Sequence, residues 1–251
     1  MPVAVYKPAS KTPYECVLLY RNKYNIPPEA PVSYAGRLDP MAEGVLLLLV
    51  GDENKDRRTF EHLNKRYEVA CVFGISTDSG DGMGIPSFAM KPEITRPQLS
   101  THLSKYIGTF EQRYHPYSSR IIDGKPLFYW SKQELIHTIK IPTHRVCVSD
   151  IKIVSKSVIK LKDIILDITR RVSEVSGDFR QHNIISAWES QYHVDRLFPL
   201  FTLKIDCEKG GTYVRVLIED LAHDMDQIAF TYHLVRTRVG DWEKDDCLRL
   251  W

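Results

Sequence analysis

The chain has 251 residues, 43% of them hydrophobic and 26% charged, with a formal net charge of +2. This is the balance of an ordinary globular protein, and the length allows one large domain or two small ones with a substantial core. The longest purely apolar run, residues 45–50, is far too short to cross a bilayer, so no membrane partner is expected. Five scattered cysteines (Cys16, Cys71, Cys147, Cys207, Cys247), with no Cys-x-x-Cys spacing, argue against a disulfide framework and a structural zinc site. The N-terminus lacks a charged region followed by an apolar stretch, and a cytoplasmic location is expected.

Residues 3–6 predict a short strand ended by Lys7-Pro8. Residues 13–24 have helical spacing at Tyr14, Val17, Leu18 and Tyr20, after a Thr-Pro pair suited to a helix start. Residues 45–50 and 67–73 predict strands, the second placing Tyr67, Val69, Cys71 and Phe73 on one face. The Asp- and Gly-containing segment 76–84 predicts a loop. A modest helix is predicted over 96–107, an aromatic, basic, irregular segment over 111–125, and a strand over 146–154. Ile164, Ile168, Val172, Val175 and Phe179 form the stripe of an amphipathic helix within 163–192, broken near Gly177, with a second short helix around 184–188. The alternating strand 201–207 then leads through Lys209-Gly-Gly211 into a helix buried on Val214, Leu217, Ile218, Leu221 and Met225. Strands and helices mix without regular β-α-β alternation, which favours an α+β fold over a doubly wound sheet.

The segment most informative about chemistry is 33–44, Ser-Tyr-Ala-Gly-Arg-Leu-Asp-Pro-Met-Ala-Glu-Gly. It sets one carboxylate, Asp39, on a turn opened by Gly36 and stiffened by Pro40, directly before the apolar strand. Such a carboxylate suits catalysis, but on local grounds the plainer reading is that Asp39 caps a helix beginning at Pro40. An ionised Asp in a cleft that excludes water needs a counter-charge. Arg215 is the candidate: it lies in a first helical turn, where the macrodipole disfavours a cation. The alternative is an exposed helical arginine. Basic residues cluster at 55–58, at Lys65-Arg66, and at Arg236 with Arg238, each open to reading as an RNA-facing patch or as solvated surface.

The Gly-Arg-Leu-Asp-Pro stretch resembles the active-site motif of pseudouridine synthases, specifically the TruB family. Further blocks follow in that family's order: Lys65-Arg-Tyr-Glu-Val-Ala-Cys-Val-Phe-Gly74, then Thr77-Asp-Ser-Gly-Asp-Gly-Met-Gly84. Tyr117-Ser-Ser119 with Gly124-Lys-Pro-Leu127 comes next, then Lys209-Gly-Gly-Thr-Tyr-Val-Arg215, and finally His233-Leu-Val-Arg-Thr-Arg-Val-Gly240. The resemblance implies a pseudouridine synthase fold, in which a central mixed, largely antiparallel sheet is flanked by helices and loops around an RNA-binding cleft. It implies a tRNA pseudouridine synthase, without metal or organic cofactor, acting on the T-loop uridine (position 55) flipped from its stack. The T-arm stem-loop of tRNA would be the partner and the protein a monomer. Asp39 becomes the catalytic carboxylate, with Arg215 set against it. Tyr67 would pack on the target base, Tyr213 contact the substrate, and Leu234 line the uracil pocket. From residues alone, Tyr67 also reads as a packing tyrosine of a strand and Leu234 as a core leucine. Which atom the carboxylate attacks, or whether it takes a 2′ proton, is left open.

The chain departs from the family's pattern at Tyr34, where a histidine is usual, and at Arg37, where a threonine is usual. Tyr34 can still stack on a base. The family's lysine after Tyr-Ser-Ala is displaced as well, with Ile121 in its register and Arg120 before it. The sequence ends at Trp251, soon after the last block, so the expectation is a single catalytic domain over 1–251 with no C-terminal PUA domain. Two other functions fit the same residues: a non-catalytic RNA-binding or tRNA-folding protein on this scaffold, and a pseudouridine synthase acting on another RNA.

Overall fold

The apolar run 45–50 lies in a strand buried on both faces, and the rest of the sheet is laid out from it. The structure, a computed structural model, describes residues 1–89 and 92–251. Strand β1 (Val3–Lys7) is followed by helix α1 (Pro13–Lys23). Thr12 starts that helix as the Thr-Pro pair predicts: its hydroxyl accepts from Glu15 N at 3.2 Å, while the Glu15 carboxylate accepts from Thr12 N at 2.7 Å. A short β2 (Val32–Ala35) pairs with β3 (Ala42–Val50), and α2 (Arg57–Glu61) leads into β4 (Lys65–Phe73). After a small hairpin of residues 75–77 and 86–88 come α3 (Arg96–Leu103), β5 (Gly108–Arg113), α4 (Leu127–Lys132) and the long β6 (Thr143–Lys160). Helices α5 (Leu161–Ser173) and α6 (Gln181–Glu189) precede β7 (Leu197–Glu208), α7 (Val214–His223) and β8 (Ala229–Val239). Two short strands, β9 (Trp242–Glu243) and β10 (Leu248–Arg249), close the chain.

The strands form one ten-stranded sheet in the order β10-β1-β3-β8-β4-β7-β6-β5, with β2 added to β3 and β9 to β8. Among the described residues its pairings are antiparallel except β1 with β10 and β3 with β8. The mixed, largely antiparallel α+β architecture expected from the sequence is therefore found. Along β3, Leu46 and Leu48 enter the core shared with α1, α3 and α7, while Val45, Leu47 and Leu49 pack on the opposite face with Val239. A strand covered on both sides has no reason to alternate with polar residues. Helices α5 and α6 cover a further core with Val72, Phe198 and Phe230.

Two boundaries differ from the sequence expectations, and a third agrees with them. Strand β6 runs well beyond 146–154, because its largely exposed second half is held by backbone pairing to β7 rather than by a buried face. Within 163–192 the stripe breaks around Gly177 and a second helix follows, as expected, with Arg180 in the left-handed region (φ 62°) immediately before α6. Helix α3 stops at Leu103 and gives way to a 3-10 turn over Ser104–Tyr106. All five cysteines are free. Among the described residues no helix is long and apolar enough to cross a membrane.

Candidate active site

Sheet order decides which distant residues meet. Because β8 runs between β3 and β4, Leu234 stands beside Ala42 and Val69, and Arg236 beside Gly44 and Tyr67. Gly44 permits this approach: its φ is +111°, and a Cβ there would lie 2.2 Å from the Arg236 carbonyl oxygen. No helix begins at Pro40, so Asp39 is not a helix cap. Instead Ala42 N donates to Asp39 O at 3.1 Å, closing a tight turn that enters β3 directly. Gly36, with φ +72°, opens the same segment.

Two buried cations pin this turn from below. Arg236, 1% exposed, donates from Nε to Val45 O (2.8 Å), from Nη1 to Arg37 O (3.1 Å) and from Nη2 to Gly36 O (3.1 Å). Lys7, also fully buried, donates to the carbonyls of Pro8, Lys11 and Pro40. Burial pulls its ammonium down to about 7, against the opposing pull of Cys16, Asp39 and Glu43. Lys65, Arg66 and Arg236, left open by the sequence, all have partners within the protein. Lys65 is buried and donates to the carbonyls of Glu61 and Leu63, and Arg66 pairs with Asp206 at 2.7 Å.

Arg215, the second residue of α7, reaches the turn from the other side. It is 5% exposed, with Nε 2.9 Å from Asp39 Oδ2 and 3.6 Å from Asp81 Oδ2. Its Nη1 donates to the Ser79 carbonyl and lies 3.3 Å from His115 Nδ1. A cation at this unfavourable end of a helix thus answers two carboxylates, as the dipole mismatch suggested. Burial lowers the Arg215 pKa, but Asp39, Asp81 and Glu219 outweigh it and the net direction is up. Asp39 keeps a side chain 41% exposed, so the acid faces the cleft and its counter-charge is buried behind it. Asp81 is itself buried, and its Oδ1 accepts from Ser79 Oγ (2.7 Å) and Met83 N (2.9 Å). Burial raises its pKa, with Asp39 adding to the rise and Arg215 opposing it.

The other predicted residues converge on the same place. Asp39, Arg215, Tyr67, Tyr213, Leu234 and Tyr34 all line one cleft of about 1240 Å³. The Tyr67 hydroxyl is hydrogen-bonded to Arg236, and burial pushes its pKa up to about 12, so it stays a neutral phenol. Tyr213 is the residue before α7. Its backbone is clamped by Gln112 in both directions, N to Oε1 at 2.8 Å and Nε2 to O at 3.1 Å. Its ring stands edge-on to Tyr114 (5.8 Å) and His144 (5.7 Å). Tyr34 is half-buried with the Arg57 guanidinium 5.8 Å from its ring centre. Leu234 belongs to the main core and also borders the cleft. Arg120 projects from the surface over the Tyr114 ring at 5.1 Å, and Ile121 is exposed.

Sequence reasoning passed over Asp81, His115, Lys7 and the buried role of Arg236. Asp81 lies inside the quoted block 77–84, and an acid on a Gly-rich loop was the available signal. His115 carries no local signal, because its partner is a hundred residues away. Among the described residues no group of three or more His, Cys, Asp or Glu side chains is placed to hold a metal ion.

In fold the chain is similar to solved structures of Cbf5 complexes. A Cbf5-Nop10-Gar1 complex superposes with a TM-score of 0.60 at 16% identity, covering 99% of this chain and 52% of that one. The archaeal box H/ACA sRNP Nop10-Cbf5 complex gives 0.57 at 14%, covering 99% and 51%, so the chain spans about half the length of these proteins. The fold class is thereby defined. The family model for the TruB family pseudouridylate synthase (N terminal domain) matches residues 25–177, and the chain belongs to this family. Its relatives include tRNA pseudouridine synthase B of Caldanaerobacter subterraneus subsp. tengcongensis, 26% identical over 240 residues (95% of this chain, 68% of the relative). The enzyme of the same name from Bacteroides thetaiotaomicron is 26% identical over 218 residues (86% and 75%). The family match takes in Asp39, Tyr67 and Asp81; Arg215 lies outside it and is brought in by the fold.

Proposed function

We propose that this chain converts a uridine of tRNA to pseudouridine, with the T-loop uridine (position 55) as its target and the base flipped into the cleft. The observation that carries the reading is the Asp39–Arg215 pair, 2.9 Å apart, with an exposed acid and a buried partner in a cleft also lined by Tyr67, Tyr213 and Leu234. The reaction is an isomerisation: the bond from C1′ to N1 breaks, the base turns, a bond from C1′ to C5 forms, the C5 proton leaves, and N1 ends protonated. It needs an ionised carboxylate at the sugar and a surface that keeps the detached base in place. Arg215 orients Asp39 and places a fixed counter-charge behind it, since a guanidinium already at hydrogen-bond distance costs no reorganisation during the reaction. The rings of Tyr67 and Tyr213 and the Leu234 side chain are apolar surfaces for the uracil, and Tyr34 with Arg57 offers a stacking face at the rim. The tRNA pseudouridine synthase B relatives support RNA as the partner.

The test is turnover on a T-arm stem-loop RNA by the intact chain and by Asp39→Asn, which keeps the shape and loses the negative charge. Pseudouridine formation is expected to vanish in the variant while RNA binding is retained. Undiminished turnover by Asp39→Asn would refute the assignment. Mapping pseudouridines in total RNA with and without the gene tests the target, and loss at a ribosomal position alone would refute the T-loop reading.

A further inference from the structure

The loop after β5 places a histidine where the proposed reaction has no evident use for one. His115 is 1% exposed, and its Nδ1 faces two donors at once: Arg215 Nη1 at 3.3 Å and its own loop's Tyr117 N at 3.1 Å. Its Nε2 lies 3.6 Å from Glu219 Oε1 on α7. With Nδ1 accepting, the ring proton sits on Nε2 and the imidazole is neutral. Burial and the neighbouring Arg215 both oppose its charging, which agrees with that tautomer.

We propose that His115 is a positioning residue for Arg215: its Nδ1 is the acceptor that fixes the guanidinium plane so that Nε points at Asp39. Nη1 carries two hydrogens. One goes to the Ser79 carbonyl and the other to His115, so the guanidinium cannot turn about its long axis without stranding a buried donor. The same imidazole nitrogen accepts from Tyr117 N, and the His115 carbonyl accepts from Ser118 N at 2.9 Å. The conformation of loop 114–119 is thereby tied to the geometry of the Asp39–Arg215 pair. An acceptor on this loop, rather than an imidazole as such, is what the site requires.

That requirement can be tested by substitution. His115→Asn would put an amide Oδ1 where Nδ1 stands, and an Asn accepts from the backbone N–H two residues on in an ordinary Asx-turn. His115→Gln would carry the amide oxygen towards the Nε2 position and Glu219, and His115→Ala would supply no acceptor. The turnover arms rest on the reading of this chain as a pseudouridine synthase. With a T-arm RNA, H115N is expected to keep kcat within about 3-fold of the wild type. H115A and H115Q are expected to lose about 10- to 100-fold in kcat, the range for a buried hydrogen bond to a charged group. KM should change little, since the RNA-facing surface is not touched, whereas Tm should fall in H115A, which empties a buried site, so turnover is compared at a temperature where every variant is folded. A second arm needs no chemistry: in 15N-labelled free protein the Arg215 Nε–H signal, assigned by its loss in R215K, should be protected from exchange in the wild type and H115N. It should lose that protection in H115A and H115Q. Wild-type turnover in H115A, equal turnover in H115N and H115Q, or an unchanged Arg215 signal in H115A would each overturn the proposal. If the wild type itself formed no pseudouridine, the functional reading would fall and the exchange arm would still decide the role of His115.

Discussion

Replacing Arg236 by Met tests whether a buried cation holds the turn that carries Asp39 in place. The guanidinium is 1% exposed and donates to Gly36 O, Arg37 O and Val45 O at 2.8–3.1 Å, as well as bonding the Tyr67 hydroxyl. Hydrogen bonds to a charged group contribute about 1.5–3 kcal/mol each, so three would sum to roughly 4.5–9 kcal/mol. Methionine fills a similar volume without the desolvation penalty of a buried cation, which returns several kcal/mol of that sum. The expected net loss is about 2–4 kcal/mol, a large part of a typical 5–15 kcal/mol total. Urea unfolding followed by circular dichroism measures it as a fall in midpoint at constant m. Arg236→Lys, which keeps the charge but can satisfy fewer acceptors, should fall between the two. At a denaturant-free, fully folded concentration, Arg236→Met should also turn over more slowly, because Asp39 sits three residues from the released Gly36 carbonyl. A loss under about 1 kcal/mol together with normal turnover would refute the pinning role, since it lies below the contribution of even one such bond.

Asp81→Asn keeps the hydrogen-bonding shape next to Ser79 and Met83 but removes one of the two negative charges facing Arg215. Its kcat on T-arm RNA should drop on the order of 10-fold with little change in KM, as expected for a group that acts on Arg215 rather than on substrate. Gly44→Ala forces a Cβ to within 2.2 Å of a backbone oxygen at φ +111°, so β3 and β8 must part, and a loss on the order of 2–4 kcal/mol in urea unfolding is expected. His115 gives a pH signature. Its folded pKa lies well below 6.5, so the unfolded chain binds the extra proton as pH falls through 6.5, and stability contributed above that pH is lost. H115N should flatten the fall in stability just below pH 6.5, by up to about 1.4 kcal/mol per pH unit. Identical slopes for the two proteins would show that His115 charges freely in the fold. Arg37 and Lys209 are exposed at the cleft, and Ala at either should weaken RNA binding while reducing the salt slope of log K by about 0.7–0.9. An unchanged slope would remove that residue from the phosphate path.

Much of this fold is legible in local pattern. The capping pair before α1, the alternation at 67–73, the stripe at Ile164, Ile168 and Val172, and the helix after Gly210-Gly211 each depend on neighbours within a turn or a strand. Strand β6 runs further than its side chains predict, because its second half is largely exposed and is held by backbone bonds to β7, which leave no trace in side-chain pattern. Arg236 shows the sharper failure. Next to Arg238 it looks like a surface charge, yet its register opposite Gly44 and Tyr67 buries it under the turn.

What the sequence determined by itself is the list of chemical groups and their order: an acid on a stiff turn, an arginine against its helix dipole, tyrosines at Tyr67 and Tyr213, and no Cys-x-x-Cys spacing for a metal. Even there, the local odds for Asp39 favoured a helix cap, and the family pattern was needed to reverse them. Tertiary structure alone decided that a strand, not a helix, follows Pro40, and that Asp39 faces the cleft while Arg215 is buried behind it. It also brought in Asp81 and His115 as the other neighbours of that guanidinium. The reason is physical: a pattern of apolar spacing reports which side of an element is covered. Which atoms share one guanidinium depends on strand order and on contacts between residues 100 to 176 positions apart.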